Sequence, residues 1–374
     1  MPLPPLKLLL IAGARPNFMK IAPLIKAVEA HNRTNNGDAR AVEYSLVHTG
    51  QHYDEKMSDI FFRELGIPAP QHNLEIGSGS HAVQTANIMI AFEPVCLAEK
   101  PDWVVVVGDV NSTVACTLVA SKLGIAVAHI EAGLRSHDRG MPEELNRLVT
   151  DALADLLLTP SADGDDNLRR EGVAGEKIRC VGNVMIDTLV AQLDRADATN
   201  TLERLGLEPG RFVYVTLHRP SNVDIRENLE VIVNALAELS ENSTIAFPIH
   251  PRTRGRMTEF GLSFQNHPRV CLLEPLGYLD SLNLTRHARF LLTDSGGLQE
   301  ESTYFRTPCL TLRPNTERPI TIKVGSNRLT TIETLRDDIA RLLAGPERLG
   351  QNPPLWDGHS AERIVAELLA NAPS

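Results

Sequence analysis

The segment Thr293-Asp294-Ser295-Gly296-Gly297-Leu298-Gln299-Glu300-Glu301 follows an apolar run ending at Leu292 and opens a helical pattern. A strand that turns into a helix through Ser-Gly-Gly leaves backbone N–H groups without partners at the helix N-terminus, where the helix dipole favours negative charge. Two of those groups, on Gly296 and Gly297, belong to residues with no Cβ, so a diphosphate can approach them closely. Glu301 follows about one helical turn later, where it could accept hydrogen bonds from the ribose hydroxyls of the same nucleotide. The plain alternative is an ordinary helix start capped by the Ser295 hydroxyl.

Further polar groups recur just after apolar runs. Gly13-Ala14-Arg15-Pro16-Asn17-Phe18-Met19-Lys20 enters a helix with the cations Arg15 and Lys20 near its start. Cations there oppose the helix dipole, and an anionic ligand explains them better than helix stability does. Asp109, in Gly108-Asp109-Val110-Asn111-Ser112-Thr113, and Glu131, in Glu131-Ala132-Gly133-Leu134-Arg135, end two successive runs. Met141-Pro142-Glu143-Glu144-Leu145-Asn146-Arg147 starts a helix, and proline with acids in the first turn stabilises such a start without any other role. Arg147 could pair with Glu143 one helical turn away. His218 and His250 each follow an apolar run, in Leu217-His218-Arg219-Pro220-Ser221 and Pro248-Ile249-His250-Pro251.

No cofactor signature accompanies these groups. Gly77-Ser78-Gly79-Ser80-His81-Ala82 spells a dinucleotide-binding pattern, but the run before it is a weak strand, and Asp102 precedes its strand rather than ending it. A Walker A motif is absent, and Asp, Glu and His lack the close pairing of a metal site.

The elements that must position these residues are short β-branched runs alternating with amphipathic helices, the pattern of parallel βα units in doubly wound sheets. The expected strands are 8–12, 44–47, 103–107, 126–130 and 156–158, then 212–216, 244–248, 270–273, 290–292 and 309–312. At 374 residues, two α/β domains follow, with the polar segment 194–201 as the expected linker. The expected division is 1–195, 196–355 and a C-terminal helix in 356–374. In such sheets ligands bind beyond the carboxyl ends of the strands, where the polar groups above fall.

A net charge of -10 argues against a nucleic-acid surface. No run is long enough to span a bilayer, and the single Lys7 before Leu8-Leu9-Leu10 reads as a first strand rather than a signal peptide. Five scattered cysteines without C-x-x-C spacing indicate neither a disulfide framework nor a zinc site, which fits a reducing cytoplasm.

Six motifs in order, GARPNFMK, GDVNST, HIEAGLRS, MPEELNR, LHRPSN and TDSGGLQEE, resemble those of the non-hydrolysing UDP-N-acetylglucosamine 2-epimerases over about Leu8 to Arg318. The resemblance implies two Rossmann-like domains facing across a cleft, as in GT-B glycosyltransferases. It implies a UDP-sugar substrate, no cofactor, a homodimer, and a C-terminal helix crossing back to the first domain. By resemblance Asp109, Glu131 and Glu143 fall on the family's catalytic acids and His218 on its catalytic histidine. Lys20, Arg147 and His250 match polar cleft positions, and Glu301 matches the residue that holds the ribose.

Inverting C2 of a UDP-sugar is difficult because no adjacent carbonyl acidifies C2–H. Without NAD, the route is expulsion of UDP from C1, loss of the C2 proton to a base, re-protonation on the opposite face and return of UDP. That chemistry needs leaving-group stabilisation, which Arg15, Ser295, Gly296, Gly297 and Arg318 can supply, and acids and bases on both ring faces. Asp109, Glu131, Glu143 and His218 can supply those, with the face served by each acid left open. Departures from the pattern are Asn17, where many members carry glutamate, and Pro220-Ser221, where many carry Arg-Glu. The segment that carries an Arg-Gln pair in members activated by a second substrate molecule reads Gly77-Ser78-Gly79-Ser80-His81 here, although Gln51-His52 is kept. Relatives acting on a diacetamido uronic acid share much of the pattern. A GT-B glycosyltransferase, a hydrolysing epimerase and a non-catalytic sugar-nucleotide sensor are the competing readings.

Overall fold

The computed structural model describes residues 4–35, 39–50, 66–345 and 350–373. Its first sheet contains, among the described residues, β1 (Leu6–Ala12), β2 (Val42–His48), β3 (His72–Asn73), β4 (Trp103–Val107), β5 (Ala126–Ile130), β6 (Leu156–Thr159) and β7 (Ile178–Cys180). The strands run parallel in the order β3-β2-β1-β4-β5-β6-β7. The second sheet contains β8 (Phe212–Thr216), β9 (Thr244–Pro248), β10 (Val270–Leu273), β11 (Phe290–Thr293), β12 (Cys309–Leu312) and β13 (Asn327–Thr330). It is also parallel, in the order β10-β9-β8-β11-β12-β13. These are the two doubly wound sheets expected.

The central strands read as continuous apolar runs because helices cover both faces. All five residues of Trp103–Val107 are buried, and Val104 and Val106 join Leu9, Ile11, Val127 and Leu157 in one core cluster. Val213, Val215, Ile245, Phe247, Phe290 and Leu292 do the same in the second sheet. The strands absent from the sequence reading, β3, β7 and β13, are the short edge or near-edge ones, His-Asn, Ile-Arg-Cys and Asn-Arg-Leu-Thr. Their polar composition gives no apolar run to detect.

Strand order reverses between β1 and β4 and again between β8 and β11. The crevice beyond such a reversal is where open α/β sheets bind ligands. Gly13 and Gly108-Asp109 follow β1 and β4, and Leu217-His218 and Asp294-Ser295 follow β8 and β11, so the motif residues lie at the two reversals.

The chain divides into two compact units, Met1–Thr188 with Pro354–Ser374, and Leu189–Pro353. The division falls inside the helix Val184–Asp197, so the segment read as a linker, 194–201, is helical at its start and again from Thr201. The helix Ser360–Ala370 packs on the helix Arg15–Thr34 of its own unit. Trp103 Nε1 donates to Leu368 O (3.2 Å), and the Asp187 carboxylate accepts from Ser360 N (3.1 Å) and Ala361 N (2.6 Å). Gly182, at φ +91°, lets this return pass: a Cβ there would stand 2.2 Å from Leu355 O.

Candidate active site

In the first unit, the turn after β1 is held by Asn17. Its Oδ1 accepts from Ala14 N (2.8 Å) and Gly13 N (3.2 Å), while its Nδ2 donates to Val107 O (3.0 Å) at the end of β4. A glutamate in its place could accept the first two bonds but could not donate the third. Three residues on, Lys20 Nζ forms a buried ion pair with Glu131 Oε2. Glu131 sits in the left-handed region at φ +69°, a conformation that costs a non-glycine residue about 1–3 kcal/mol and is found where function demands it. Its other oxygen, Oε1, is buried and has no hydrogen-bond partner among the described residues. A buried acceptor left open in this way is suited to a donor on a ligand.

Asp109 is held by Arg147, whose Nε lies 3.0 Å from its Oδ2, and its backbone oxygen accepts from Asn146 Nδ2 (2.8 Å). Arg147 also pairs with Glu144 (2.6 Å), not with Glu143 as the sequence spacing allows. Successive helix residues point about 100° apart. Glu144 therefore turns into the protein with Arg147, while Glu143 is exposed with no hydrogen bond or ion pair among the described residues. Burial would raise the Glu144 pKa, but bonds from Ser136 and His137 and the Arg147 charge outweigh it and hold the carboxyl below its usual range. Arg15 is the first residue of its helix; its side chain, like Gln51 and His52, lies outside the described residues.

In the second unit, His218 Nδ1 lies 3.0 Å from Asp294 Oδ1. Asp294 is fully buried and also accepts from the backbone N–H groups of His218 (3.0 Å) and Arg219 (2.8 Å) and from Asn222 Nδ2 (3.1 Å). Burial pushes its pKa up, but His218 and these bonds prevail and keep it ionised below the usual range. With Nδ1 so committed, Nε2 is the nitrogen of His218 free to exchange a proton, an arrangement of carboxylate and imidazole that suits general acid–base work. The His250 ring lies beside it, centroids 5.7 Å apart. His250 Nδ1 accepts from Arg252 N (3.2 Å), and burial together with His218 lowers its pKa, so this ring is neutral.

Ser295 is the N-cap of the helix Gly296–Phe305, but its side chain makes no capping bond, and its N–H goes to Thr293 Oγ1 (2.9 Å). The ordinary capped start is therefore not what forms. A Cβ on Gly296 would lie 3.1 Å from the Arg318 guanidinium and 3.2 Å from Glu317 Oε1, whereas one on Gly297 would meet open space. Arg318 is set in an alternating chain: it pairs with Glu300 (2.7 Å) and Glu317, and Glu317 pairs with Arg313 (2.9 Å). A guanidinium is thus fixed beside the glycine turn. Glu301 is buried, and burial, then the Glu300 charge, push its pKa up to about 8.

The sequence model of the UDP-N-acetylglucosamine 2-epimerase family matches residues 35–369. The chain is 42% identical to the UDP-N-acetylglucosamine 2-epimerase of Methanocaldococcus jannaschii, over 96% of this chain and 98% of the relative. The chain belongs to the UDP-N-acetylglucosamine 2-epimerase family. Among solved structures, the M. jannaschii enzyme in complex with UDP-GlcNAc and UDP has a TM-score of 0.85 at 43% identity, covering 98% of this chain and 100% of that one. This chain is also 40% identical to the UDP-2,3-diacetamido-2,3-dideoxy-D-glucuronate 2-epimerase of Pseudomonas aeruginosa, over 98% of its own length and 99% of the relative. Membership in this epimerase family gives the geometry its chemical context. Lys20 with Glu131 and Arg147 with Asp109 are brought together in one unit, and His218, His250 and the Ser-Gly-Gly turn with Arg318 are set in the other. Asp294, Glu144, Glu300 and Glu317, which hold these groups, were not singled out from sequence. Only the place of Asp294 directly after a strand, beside the glycines, marked it.

Proposed function

We propose that this chain reversibly converts UDP-N-acetylglucosamine to UDP-N-acetylmannosamine by elimination and re-addition of UDP. The observation that carries the reading is Glu131: a buried acid held by Lys20 in a strained backbone conformation, with one oxygen unclaimed. The C1–O bond breaks with its electron pair leaving on UDP, whose diphosphate is met by the N–H groups of Gly296 and Gly297 and by Arg318 and Arg15. A base takes the C2 proton and the C1–C2 double bond forms. A proton then returns to the other face and UDP adds back to C1. Asp109, Glu131, Glu143 and His218 serve as the acids and bases, Asp294 orients His218, and Glu301 accepts from the ribose. Lys20 and Arg147 hold the carboxylates of Glu131 and Asp109 in place through their ion pairs. The segment 1–195 supplies the three carboxylates, and 196–355 supplies His218 and most of the nucleotide groups.

The test is proton NMR of UDP-N-acetylglucosamine with the pure protein in deuterated water, without cofactor. Deuterium at C2 and a UDP-N-acetylmannosamine signal are expected. A glycosyltransferase without acceptor gives no C2 exchange, a hydrolysing enzyme gives free sugar, and either result ends the proposal. The 40% identity to the diacetamido-glucuronate enzyme supports a second reading of the sugar, which a comparison of kcat/KM for the two substrates decides.

We further propose a cytoplasmic homodimer. Val83, Ile90 and Leu97 recur every seven residues on the helix His81–Glu99 and are exposed, Ile90 by 71%. Leu145, Val149 and Leu153 recur every four on the helix Pro142–Leu153 and are exposed as well. Both helices flank the helix Asn111–Lys122, so the stripes belong to one face, and aligned apolar stripes of this kind mark an association surface. All five cysteines are free thiols, as a reducing compartment keeps them. Sedimentation should give a dimer, and Ile90→Glu with Leu97→Glu should give a folded monomer; a monomeric natural chain refutes this assembly.

A further inference from the structure

We propose that His129 is a positioning residue, a doubly protonated imidazolium clamped between Asp151 and the Gly108 carbonyl that fixes the turn presenting Asp109. The proposal rests on the epimerase reading for its catalytic consequence, though its charge state does not.

His129 lies on β5 and is fully buried. Its Nε2 is 2.9 Å from Gly108 O, and its Nδ1 is 2.6 Å from Asp151 Oδ1. A carbonyl oxygen only accepts, so Nε2 carries a hydrogen. Asp151 is an acceptor too: its Oδ2 receives Gly133 N (3.0 Å) and Arg135 NH1 (2.7 Å). Two donors on that one oxygen, one of them the Arg135 guanidinium, favour the carboxylate over the acid. Nδ1 must then donate as well, and a ring with two donors is a cation. A neutral ring would aim a lone pair at an acceptor in a dry site.

The surroundings make that charge sustainable. Arg135, on the turn after β5, is shared between Asp151 and Glu171, whose Oε1 accepts from Arg135 Nε at 2.8 Å. Two cations, His129 and Arg135, thus meet two anions, the buried Asp151 and the exposed Glu171, and the cluster closes without net charge. The nearby charged groups outside it are already committed: Lys20 to Glu131, and Arg147 to Asp109 and Glu144.

The consequence concerns the acids. Gly108 is in the left-handed region at φ +67°. Its N–H donates to Ile130 O (3.1 Å) and its C=O receives His129, so β5 grips the turn through both polar groups of the residue before Asp109. Two residues beyond His129 on the same strand end stands Glu131. One imidazolium therefore sets the spacing between two catalytic acids without touching substrate. Displacing a reacting group by about 1 Å can cost roughly a hundred-fold in rate.

The charge is read from 15N NMR of the full chain labelled at histidine. One ring should show an N–H on both nitrogens in the folded chain, and its signals should vanish in His129→Asn. A neutral tautomer in the active enzyme overturns the clamp. Two variants separate positioning from bulk stability. His129→Gln keeps a donor toward Gly108 and should retain turnover within about tenfold, whereas His129→Asn keeps a donor only toward Asp151 and should lose about a hundred-fold in kcat. KM and UDP affinity should be nearly unchanged in both, since the glycine turn, Arg318 and Glu301 belong to the other unit. Equal activity of the two folded variants, or losses that track UDP affinity, overturn the positioning role. Absence of C2 exchange in the natural protein would instead refute the epimerase reading, and the catalytic part of the proposal with it, leaving the ring's charge to stand or fall on the NMR.

Discussion

Glu301→Gln tests whether the buried acid at the head of the nucleotide helix is neutral in the free protein. Glu301 is 7% exposed, and burial, then Glu300, lift its pKa from 4.5 to about 8. Between those values the folded chain holds a proton that the unfolded chain has released, so stability is fully present below about pH 4.5, falls as pH rises, and levels off above about pH 8. The lift sets an upper bound of about 5 kcal/mol on that loss. Glutamine has no charge to suppress, so the variant should lack this fall, keep only the slopes of groups such as His250 and Asp187 that both proteins share, and gain in stability over the natural chain as pH rises toward about 8. Glu144, Asp151 and Asp294 have lowered pKa values and act at more acid pH, outside this window. Urea unfolding at several pH values reads the difference directly. A ribose diol donating to Glu301 favours the carboxylate, so UDP binding should release a proton near neutral pH and tighten as pH rises toward about 8, in calorimetry repeated with buffers of different ionisation heat. Parallel stability curves for the two proteins, together with no proton release, would refute the reasoning.

Gly296→Val should reduce the rise in melting temperature that UDP gives, because a Cβ there already stands 3.1 Å from the Arg318 guanidinium and would crowd a phosphate between them; an unchanged UDP shift moves the diphosphate elsewhere. Asp109→Asn, Glu131→Gln and Glu143→Gln should each lower kcat by roughly a hundred-fold to ten-thousand-fold with UDP affinity nearly kept, and near-normal rates in all three would make the acids structural. Asp294→Asn places an amide donor against backbone N–H groups and removes the partner of His218 Nδ1, so kcat should fall by at least about tenfold along with stability, on the scale of a charge-assisted hydrogen bond of about 1.5–3 kcal/mol; a folded variant with full activity shows that His218 needs no such orientation.

Most of the scaffold was legible because central parallel strands must be apolar on both faces. Trp103–Val107, Ala126–Ile130, Phe212–Thr216, Thr244–Pro248, Val270–Leu273 and Cys309–Leu312 match their expected bounds. Edge strands escape that constraint, and β13, Asn-Arg-Leu-Thr, is spelled like a loop. At the site, the residues that meet solvent or ligand stand out as polar groups after strands. The groups that hold them do not. Asp294 reaches His218 across 76 residues of sequence, a contact that only the pairing of β8 with β11 creates. The choice of Glu144 over Glu143 as the Arg147 partner turns on one step of helix rotation, finer than periodicity resolves in a four-residue window. The left-handed backbone of Glu131 is likewise invisible, since the turn is imposed by neighbours rather than by its own residue type.

The return of the final helix sets an order on how the protein can be made. The unit Leu189–Pro353 is continuous, and all of its strands are translated before Ser360. The other unit has segments on both sides of it in sequence: the Trp103 indole waits for Leu368, and the buried Asp187 carboxylate waits for the N–H groups of Ser360 and Ala361. Until those residues emerge, Asp187 lacks the bonds that offset its burial, and the part of the helix Arg15–Thr34 that meets Ser360–Ala370 has no cover. The half of the protein translated first is therefore the half that finishes folding last, and a nascent chain stalled before Ser360 should be open to proteolysis in its first unit while its second is already protected.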